Sequence, residues 1–224
     1  GQLHRVVPRY PTFAIIRALL LAGDTVLIYY AFATLPLAEV YVLAFLTPIV
    51  VAAAAFLVLK EKLSPVATIG IFLGFAGVLV TLRPGIAPIG LGHIAAIASV
   101  GMYAASLLMI RMAKPDEADI ALVATNFFLL TLLTFLAGLV LSQLHPVTSL
   151  EIVYAALDGT CIFAGAMWLV KAFRMGNASL VAPFQYSQII WGSLLGYFIF
   201  AEPVEVHTMI GAAVIILSGW LVLK

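Results

Sequence analysis

The sequence predicts an all-α integral membrane protein, built as a bundle of helices. Of its 224 residues, 64% are hydrophobic and 9% are charged, whereas about a quarter of the residues in soluble domains carry a charge. Its apolar runs are also long enough to cross the hydrocarbon core of a bilayer, which takes about 20 helical residues. These two observations exclude an ordinary soluble domain.

Glycine, proline and charged clusters divide the apolar runs into helices. Eight helices are predicted, at about 13–33, 37–59, 65–82, 90–110, 119–141, 150–170, 178–200 and 205–223. The connections are short, so consecutive helices run antiparallel across the membrane. Every Lys and Arg except Arg83 then lies on one side. Because basic residues mark the cytoplasmic side, both ends of this chain are predicted to be cytoplasmic.

The composition gives no sign of a metal, a cofactor or a nucleic acid partner. Cys161 is the single cysteine, so the chain has neither an intrachain disulfide nor a CxxC motif. The segment DEAD, from Asp116 to Asp119, is interpreted as a polar turn and a helix start, because no GxxxxGK[ST] phosphate loop accompanies it. The missing phosphate loop argues against an ATP-driven pump in this chain.

An internal repeat becomes visible when the sequence is shifted by 141 positions against itself. In this register Glu61 matches Glu202 and Gly70 matches Gly211, and each glutamate precedes its glycine by nine residues. The first three predicted helices then repeat as the last three. The repeating unit therefore contains five helices.

This register predicts that two helices precede the present sequence in a ten-helix parent. Residues 1–85 are predicted to be the first repeat without its first two helices, and residues 86–224 the second repeat. Because five is an odd number, the two copies cross the membrane in opposite directions. Inverted repeats of this kind are typical of secondary transporters.

The two halves resemble EamA-type transporters of the drug/metabolite transporter superfamily. The resemblance rests on YAFATLPLAEVYVLAFLTPIVVAAAAFLVLKEKLSPVATIGIFLGFAGVLVTLRPG in the first half and KAFRMGNASLVAPFQYSQIIWGSLLGYFIFAEP in the second. It implies a ten-helix bundle of two repeats in a bacterial inner membrane. It also implies a central cavity, lined here mainly by the first, second, fourth, sixth and seventh predicted helices.

Asp24 stands in the middle of the first predicted helix and is the strongest candidate for a cavity residue. An ionised carboxylate near the bilayer centre costs about 2.5–3.5 kcal/mol, so such a residue usually faces a cavity or a partner. The alternative is a structural aspartate held by neighbouring hydroxyl groups. Arg17 lies two turns earlier and is expected to reach the membrane interface.

Asp158 shares a helix face with Tyr154, Cys161 and Trp168. This stripe of polar and aromatic residues is unlike a lipid-facing surface, so we interpret it as cavity lining. The alternative is a hydrated aspartate near the outer interface. Since an apolar environment favours the neutral form of a carboxyl group, Asp24 and Asp158 are both candidates to carry a coupling proton.

The seventh predicted helix carries Gln185 and Gln188 on one face, and Gln188 corresponds to Thr47 in the repeat. These side chains are expected to offer hydrogen bonds to a substrate. The alternative is that the glutamines bond between helices. Pro48 and Pro183 remove backbone donors and are expected to kink the second and seventh helices.

Aromatic side chains complete the candidate set. Tyr103 and Ser99 form a polar edge on the fourth predicted helix. Tyr103, Trp168 and Trp191 are candidates to stack on a flat substrate. The alternative is that they fill space or lie at the membrane interfaces.

Gly70, Gly74 and Gly77 share one face of the third predicted helix, close to the GxxxG packing pattern. Such a face packs closely against another helix, either within the chain or in a homodimer. We therefore include a homodimer through glycine-rich faces among the predicted partners, beside a small-molecule substrate and the lipid bilayer.

The leading hypothesis is a secondary transporter, and not an enzyme, that moves a small organic metabolite or drug-like solute by alternating access. Coupling to protons and exchange both fit this hypothesis. One alternative is an integral-membrane enzyme, which needs a motif such as DDxxD or HExxH that the sequence lacks. The other alternative is a membrane scaffold that transports nothing.

Overall fold

A computed structural model describes residues 6–82, 89–141, 147–200 and 206–222. Within these ranges all regular structure is helical. The helices are α1 (Pro11–Thr34), α2 (Leu37–Ala44), α3 (Thr47–Ala54), α4 (Pro65–Leu82), α5 (Leu91–Met112), α6 (Asp119–Val140), α7 (Ser149–Met175), α8 (Ala178–Val181), α9 (Gln188–Phe200) and α10 (Val206–Val222). A π-helical turn, Ala55–Leu59, extends α3, and a 3₁₀ turn, Ala182–Ser187, joins α8 to α9.

The prediction of an all-α membrane bundle is confirmed. In the described part of the chain, the segments long and apolar enough to cross a membrane are Pro11–Thr34, Glu39–Leu59, Pro65–Leu82, Leu91–Met112, Asp119–Val140 and Ser149–Met175. The apolar helix α10 is shorter. Each predicted helix coincides with an observed helical segment, and α6 starts at Asp119 as the sequence indicates. Glu202 and Arg83, which entered the repeat and orientation arguments, lie outside the described residues.

The second predicted helix is interrupted between α2 and α3, directly before Pro48. Proline cannot donate to the carbonyl four residues earlier, which here belongs to Ala44. The hydroxyl of Thr47 donates to this carbonyl instead, at 2.7 Å. The side chain of Thr47 thereby satisfies the acceptor that the proline leaves open.

The seventh predicted helix is interrupted in the same way. Pro183 stands in the first turn of the 3₁₀ segment Ala182–Ser187, and the regular α-helix resumes at Gln188. A 3₁₀ stretch inside a longer helix often marks a hinge or a functional site. Both prolines thus coincide with an interruption of the regular α-helix.

The helix boundaries follow the register found in the sequence. Four pairs of boundaries lie 141 positions apart: the ends of α1 and α7, and the starts of α2 and α8, α3 and α9, and α4 and α10. A fold that repeats its breaks at matching positions supports the two-repeat organisation. We keep the division into residues 1–85 and 86–224 as a proposal.

Contacts between residues divide the chain differently, into two compact units. The first unit comprises Gly1–Ala22 and Met109–Met175, and the second comprises Gly23–Leu108 and Gly176–Lys224. Helices α1 and α5 contribute to both units.

The first unit is organised around the acidic turn before α6. Glu117 is buried, and its carboxylate accepts hydrogen bonds from the backbone N–H groups of Arg9 (3.1 Å) and Tyr10 (2.8 Å). An anion at this position satisfies donors that the start of α1 would otherwise leave unpaired. Arg174 donates to the carbonyl oxygen of Glu117 at 2.6 Å and to the carboxylate of Asp119. The polar turn therefore ties together the ends of α1, α6 and α7.

The second unit has its tightest packing between α4 and α10. A Cβ atom added to Gly74 would lie about 2.5 Å from Cδ2 of Tyr186 and 2.6 Å from the hydroxyl oxygen of Ser218. That hydroxyl donates to the carbonyl oxygen of Gly70 at 2.8 Å. A Cβ atom added to Gly70 would lie 3.1 Å from the backbone carbonyl oxygen of Ser218, so the two helices approach closely enough to favour glycine on this face.

These contacts also obey the repeat register. Gly74 contacts Ser218. In the repeat register Ser218 corresponds to Gly77 and Gly74 corresponds to Ile215, and Gly77 and Ile215 are in contact as well. The two helices are thus antiparallel and related by the symmetry expected of an inverted repeat. The glycine face of α4 is occupied within the chain, and a homodimer stays an untested prediction.

Candidate functional site

The second unit contains a polar pocket with a volume of about 270 Å³. Its wall is built from α1, α2, α3, α5, the 3₁₀ turn and α9. The polar side chains that line it are Asp24, Thr47, Ser99, Tyr103, Gln185 and Gln188. All of these except Ser99 are predicted site residues, so the fold brings together side chains that the sequence places on four separate helices.

Asp24 on α1 contacts α5 through its carboxylate. The hydroxyl of Ser99, which is 2% exposed, donates to Oδ1 of Asp24 at 2.5 Å. Gly23 precedes Asp24, and a Cβ atom added to Gly23 would lie 2.8 Å from the sulfur of Met102. The absence of a side chain at Gly23 therefore permits the close approach that lets a short serine reach the carboxylate.

The glutamines approach the pocket from the broken seventh predicted helix. Gln185 lies in the 3₁₀ turn, and its side-chain amide donates to the hydroxyl oxygen of Tyr103 at 3.4 Å. Gln188 begins α9 and is exposed in the pocket wall. In the repeat register these positions correspond to Ala44 and Thr47, which also line the pocket. The pocket thus lies where matching parts of the two breaks meet.

Aromatic rings form the apolar part of the wall. Phe32, Tyr41 and Phe45 line the pocket, and they form a continuous series. The ring centroids of Phe32 and Tyr41 are 5.3 Å apart in an edge-on contact, and those of Tyr41 and Phe45 are 6.4 Å apart and stacked. Our sequence analysis missed all three residues. Tyr41 and Phe45 are four residues apart and share a helix face with Ala44, and this spacing could have indicated that they line the pocket.

A larger cavity of about 660 Å³ adjoins this pocket. It shares Tyr41, Phe45 and Gln188 with the pocket, and it extends to Thr81 near the end of α4 and Thr208 near the start of α10. The shared residues make the two spaces neighbours. The larger cavity therefore extends from the polar pocket toward the end of the second unit that carries these threonines.

At the opposite end of the second unit, the carboxylate of Glu61 bridges two segments of the chain. Its carboxylate accepts from the backbone N–H groups of Ala178 (3.2 Å) and Ser179 (3.1 Å), and from the hydroxyl of Ser179 (2.7 Å). Glu61 follows the π-helical turn after α3, and Lys60 between them adopts a left-handed backbone conformation with φ of 58°. This carboxylate joins the start of α8 to the connection between α3 and α4.

The remaining predicted site residues lie elsewhere in the described structure. Trp191 belongs to α9 and is 62% exposed, outside the lining of the polar pocket. Asp158 and Trp168 belong to α7 in the first unit, where both are exposed. The ammonium of Lys171 lies 5.7 Å from the ring centroid of Trp168. A role for these three residues stays a prediction.

The pocket carries one formal charge. Asp24 is the only ionisable carboxylate among its described lining residues, and none of those residues is Lys, Arg or His. Within the described ranges, no group of three or more His, Cys, Asp or Glu is arranged to hold a metal ion. What the pocket offers chemically is one carboxylate, several hydrogen-bonding groups and aromatic faces.

An all-helical bundle with several membrane-length helices, and with a polar pocket at its helix breaks, defines a multi-pass integral membrane protein. Comparison with known families makes the identification more specific. The model of the EamA-like transporter family matches residues 6–83 and 90–224, so the chain belongs to this family. The predicted family membership is confirmed.

Individual relatives agree with this assignment. The chain is 27% identical over 173 residues to an uncharacterized transporter of Helicobacter pylori, covering 74% of this chain and 58% of the relative. It is 26% identical over 224 residues to human solute carrier family 35 member G1, covering 92% of this chain and 60% of the relative. A solved crystal structure that is 22% identical in sequence has the same fold, with a TM-score of 0.82. The match covers 98% of this chain and 78% of the chain in that structure.

Proposed function

We propose that the protein is a secondary transporter that moves a small organic solute across the membrane by alternating access. The observation that carries the proposal is the position of the polar pocket, at the matching breaks of two helices 141 positions apart. Secondary transporters commonly bind their substrates at such interrupted helices, near the middle of the membrane. Family membership supports the same function.

The breaks supply both binding groups and mobility. Thr47 and Gln188 are the first residues of the helices that resume after each break. A movement of one half against the other would change the distance between them, and with it the shape of the pocket. Helix interruptions allow such movement because a few residues absorb the change in backbone angles.

Access to the pocket is asymmetric in this conformation. The larger cavity adjoins the pocket on the side of Thr81 and Thr208. At the other end, Glu61 holds the start of α8 against the connection between α3 and α4. With both ends of the sequence on the cytoplasmic side, as we propose from the basic residues, the Glu61 end is cytoplasmic. The structure then corresponds to a transporter closed toward the cytoplasm, with Glu61 as part of the closed gate.

Asp24 is the residue proposed to couple transport to protons. It is the one carboxylate among the described lining residues of the pocket and accepts a hydrogen bond from the hydroxyl of Ser99, so its protonation state changes the hydrogen bonding of the wall directly. Exchange of one solute for another is the alternative form of coupling. The proton-coupling role proposed for Asp158 rests on the sequence argument.

The test is uptake by the full-length protein in sealed proteoliposomes. A labelled panel of amino acids, nucleosides, flavins and S-adenosylmethionine is offered with and without an imposed pH gradient. Saturable uptake of one class supports the proposal, and acceleration by the gradient supports proton coupling. Chemical conversion of a solute without any flux would contradict transport and favour a membrane enzyme.

A further inference from the structure

We infer that the polar pocket selects a flat organic cation of small size that also forms hydrogen bonds. This inference rests on the proposed function and specifies its substrate class. The pocket has one negative side chain, Asp24, and no positive one among its described lining residues. A monovalent cation would balance this charge, whereas a neutral or anionic solute would leave it unbalanced.

The carboxylate has room for a second partner. An ionised carboxylate has about four acceptor positions on its two oxygens. Ser99 donates to Oδ1 of Asp24, which leaves Oδ2 as an acceptor for a solute. Hydrogen bonds to a charged group are stronger than neutral ones, and more so where water is scarce.

The aromatic rings of the pocket wall also favour a cation. The faces of Phe32, Tyr41 and Phe45 carry negative electrostatic potential, which attracts cations. Flat solutes also stack on such rings with little loss of contact area. The stacked pair of Tyr41 and Phe45 and the edge-on pair of Phe32 and Tyr41 give this wall a fixed shape.

The neutral polar groups then determine orientation. The amides of Gln185 and Gln188 and the hydroxyl of Thr47 donate and accept without adding charge. Arg17, the preceding charged residue on α1, lies about two turns away and donates to the carbonyl oxygen of Leu122 at 3.2 Å. An anion in the pocket would meet Asp24, and none of the described lining residues is cationic and able to offset the repulsion.

The experiment compares three flat probes of nearly the same size that differ in charge. They are 1-methylnicotinamide, which is a cation, nicotinamide, which is neutral, and nicotinate, which is an anion. Equilibrium binding of each labelled probe to the purified full-length protein is measured at neutral pH. We expect 1-methylnicotinamide to bind about tenfold more tightly than nicotinamide, because its pyridinium charge is attracted to the carboxylate and to the aromatic rings whereas the amide donor is the same in both probes. Nicotinate is expected to bind most weakly.

Two variants test the origin of the preference. Asp24→Asn keeps the size of the side chain and removes its charge, so the ratio of cation to neutral affinity is expected to fall close to one. Gln188→Glu adds a second carboxylate to the wall and is expected to raise that ratio. Glu151→Gln, an exposed change in the first turn of α7, serves as the matched control and should leave the ratio as it is.

The results separate this inference from the proposed function. Equal affinity for the three probes, or a cation preference that survives Asp24→Asn, overturns the inference. Failure of all three probes to bind overturns it as well. In each of these cases saturable uptake of another solute in the proteoliposome panel leaves transport standing. Absence of uptake of every solute removes the proposed function itself.

Discussion

The hydroxyl of Ser99 on α5 donates a hydrogen bond of 2.5 Å to the carboxylate of Asp24 on α1. This contact explains how a membrane helix accommodates an aspartate in its middle. The polar partner reduces the cost of placing the carboxylate in an apolar surrounding. Because the same carboxylate lines a pocket, the contact serves the structure and leaves Asp24 accessible to a solute.

Replacing Asp24 is expected to uncouple transport from protons. Asp24→Asn removes the titratable group and keeps a side chain that fills the same space. We expect pH-driven uptake in proteoliposomes to be abolished, while counterflow of the unlabelled and labelled solute is partly retained. Glu151→Gln, on an exposed carboxylate, is the control. Full pH-driven uptake by the Asp24 variant would remove this residue from the coupling role.

Ser99→Ala is expected to weaken both the fold and the site. It removes a hydrogen bond to a charged acceptor, a contribution of about 1.5–3 kcal/mol when the carboxylate is ionised. Unfolding of the purified protein should therefore occur at lower temperature, and uptake should decline. In the double variant with Asp24→Asn the two effects should not add, because the residues share one interaction. Strict additivity would show that the contact contributes little.

Gly74→Ala is expected to destabilise the second unit. The added methyl group would lie about 2.5 Å from the ring of Tyr186, so either the ring or α10 has to move. Overpacking of this kind costs about 1–3 kcal/mol. Gly101→Ala is the matched control, because nothing lies within 4 Å of the added atom there. Thermal unfolding in detergent that affects both variants equally would contradict the close packing of α4 and α10.

Glu61→Ala is expected to loosen the start of α8. The carboxylate accepts two backbone N–H groups and one hydroxyl, and loss of such a helix cap costs about 0.5–2 kcal/mol. Glu61→Gln keeps one acceptor oxygen and should retain part of the stability. If the contact also forms part of the cytoplasmic gate, the alanine variant should show an altered KM for uptake by proteoliposomes. Unchanged unfolding and unchanged kinetics would exclude both roles.

Much of the fold was predictable from local pattern. Helix positions followed from apolar length, and the two breaks followed from Pro48 and Pro183, because proline lacks the donor that a continuous helix needs. The sequence also predicted that Gln185 and Gln188 share one polar face, and both residues line the same pocket. The rings of Phe32, Tyr41 and Phe45 were missed, since aromatic residues are common on every face of membrane helices.

The sequence by itself determined the helices, their breaks and the 141-position register. The helices follow from the bilayer, where each backbone polar group must find its partner inside its own helix, so that local sequence decides the result. The breaks follow from proline, which lacks the backbone donor, and the register is visible in the sequence itself. Tertiary structure alone decided that Ser99 is the partner of Asp24 and that the glycines of α4 face α10. Helical periodicity tells which side chains share a face, but the choice of the facing helix depends on packing among residues far apart in the chain.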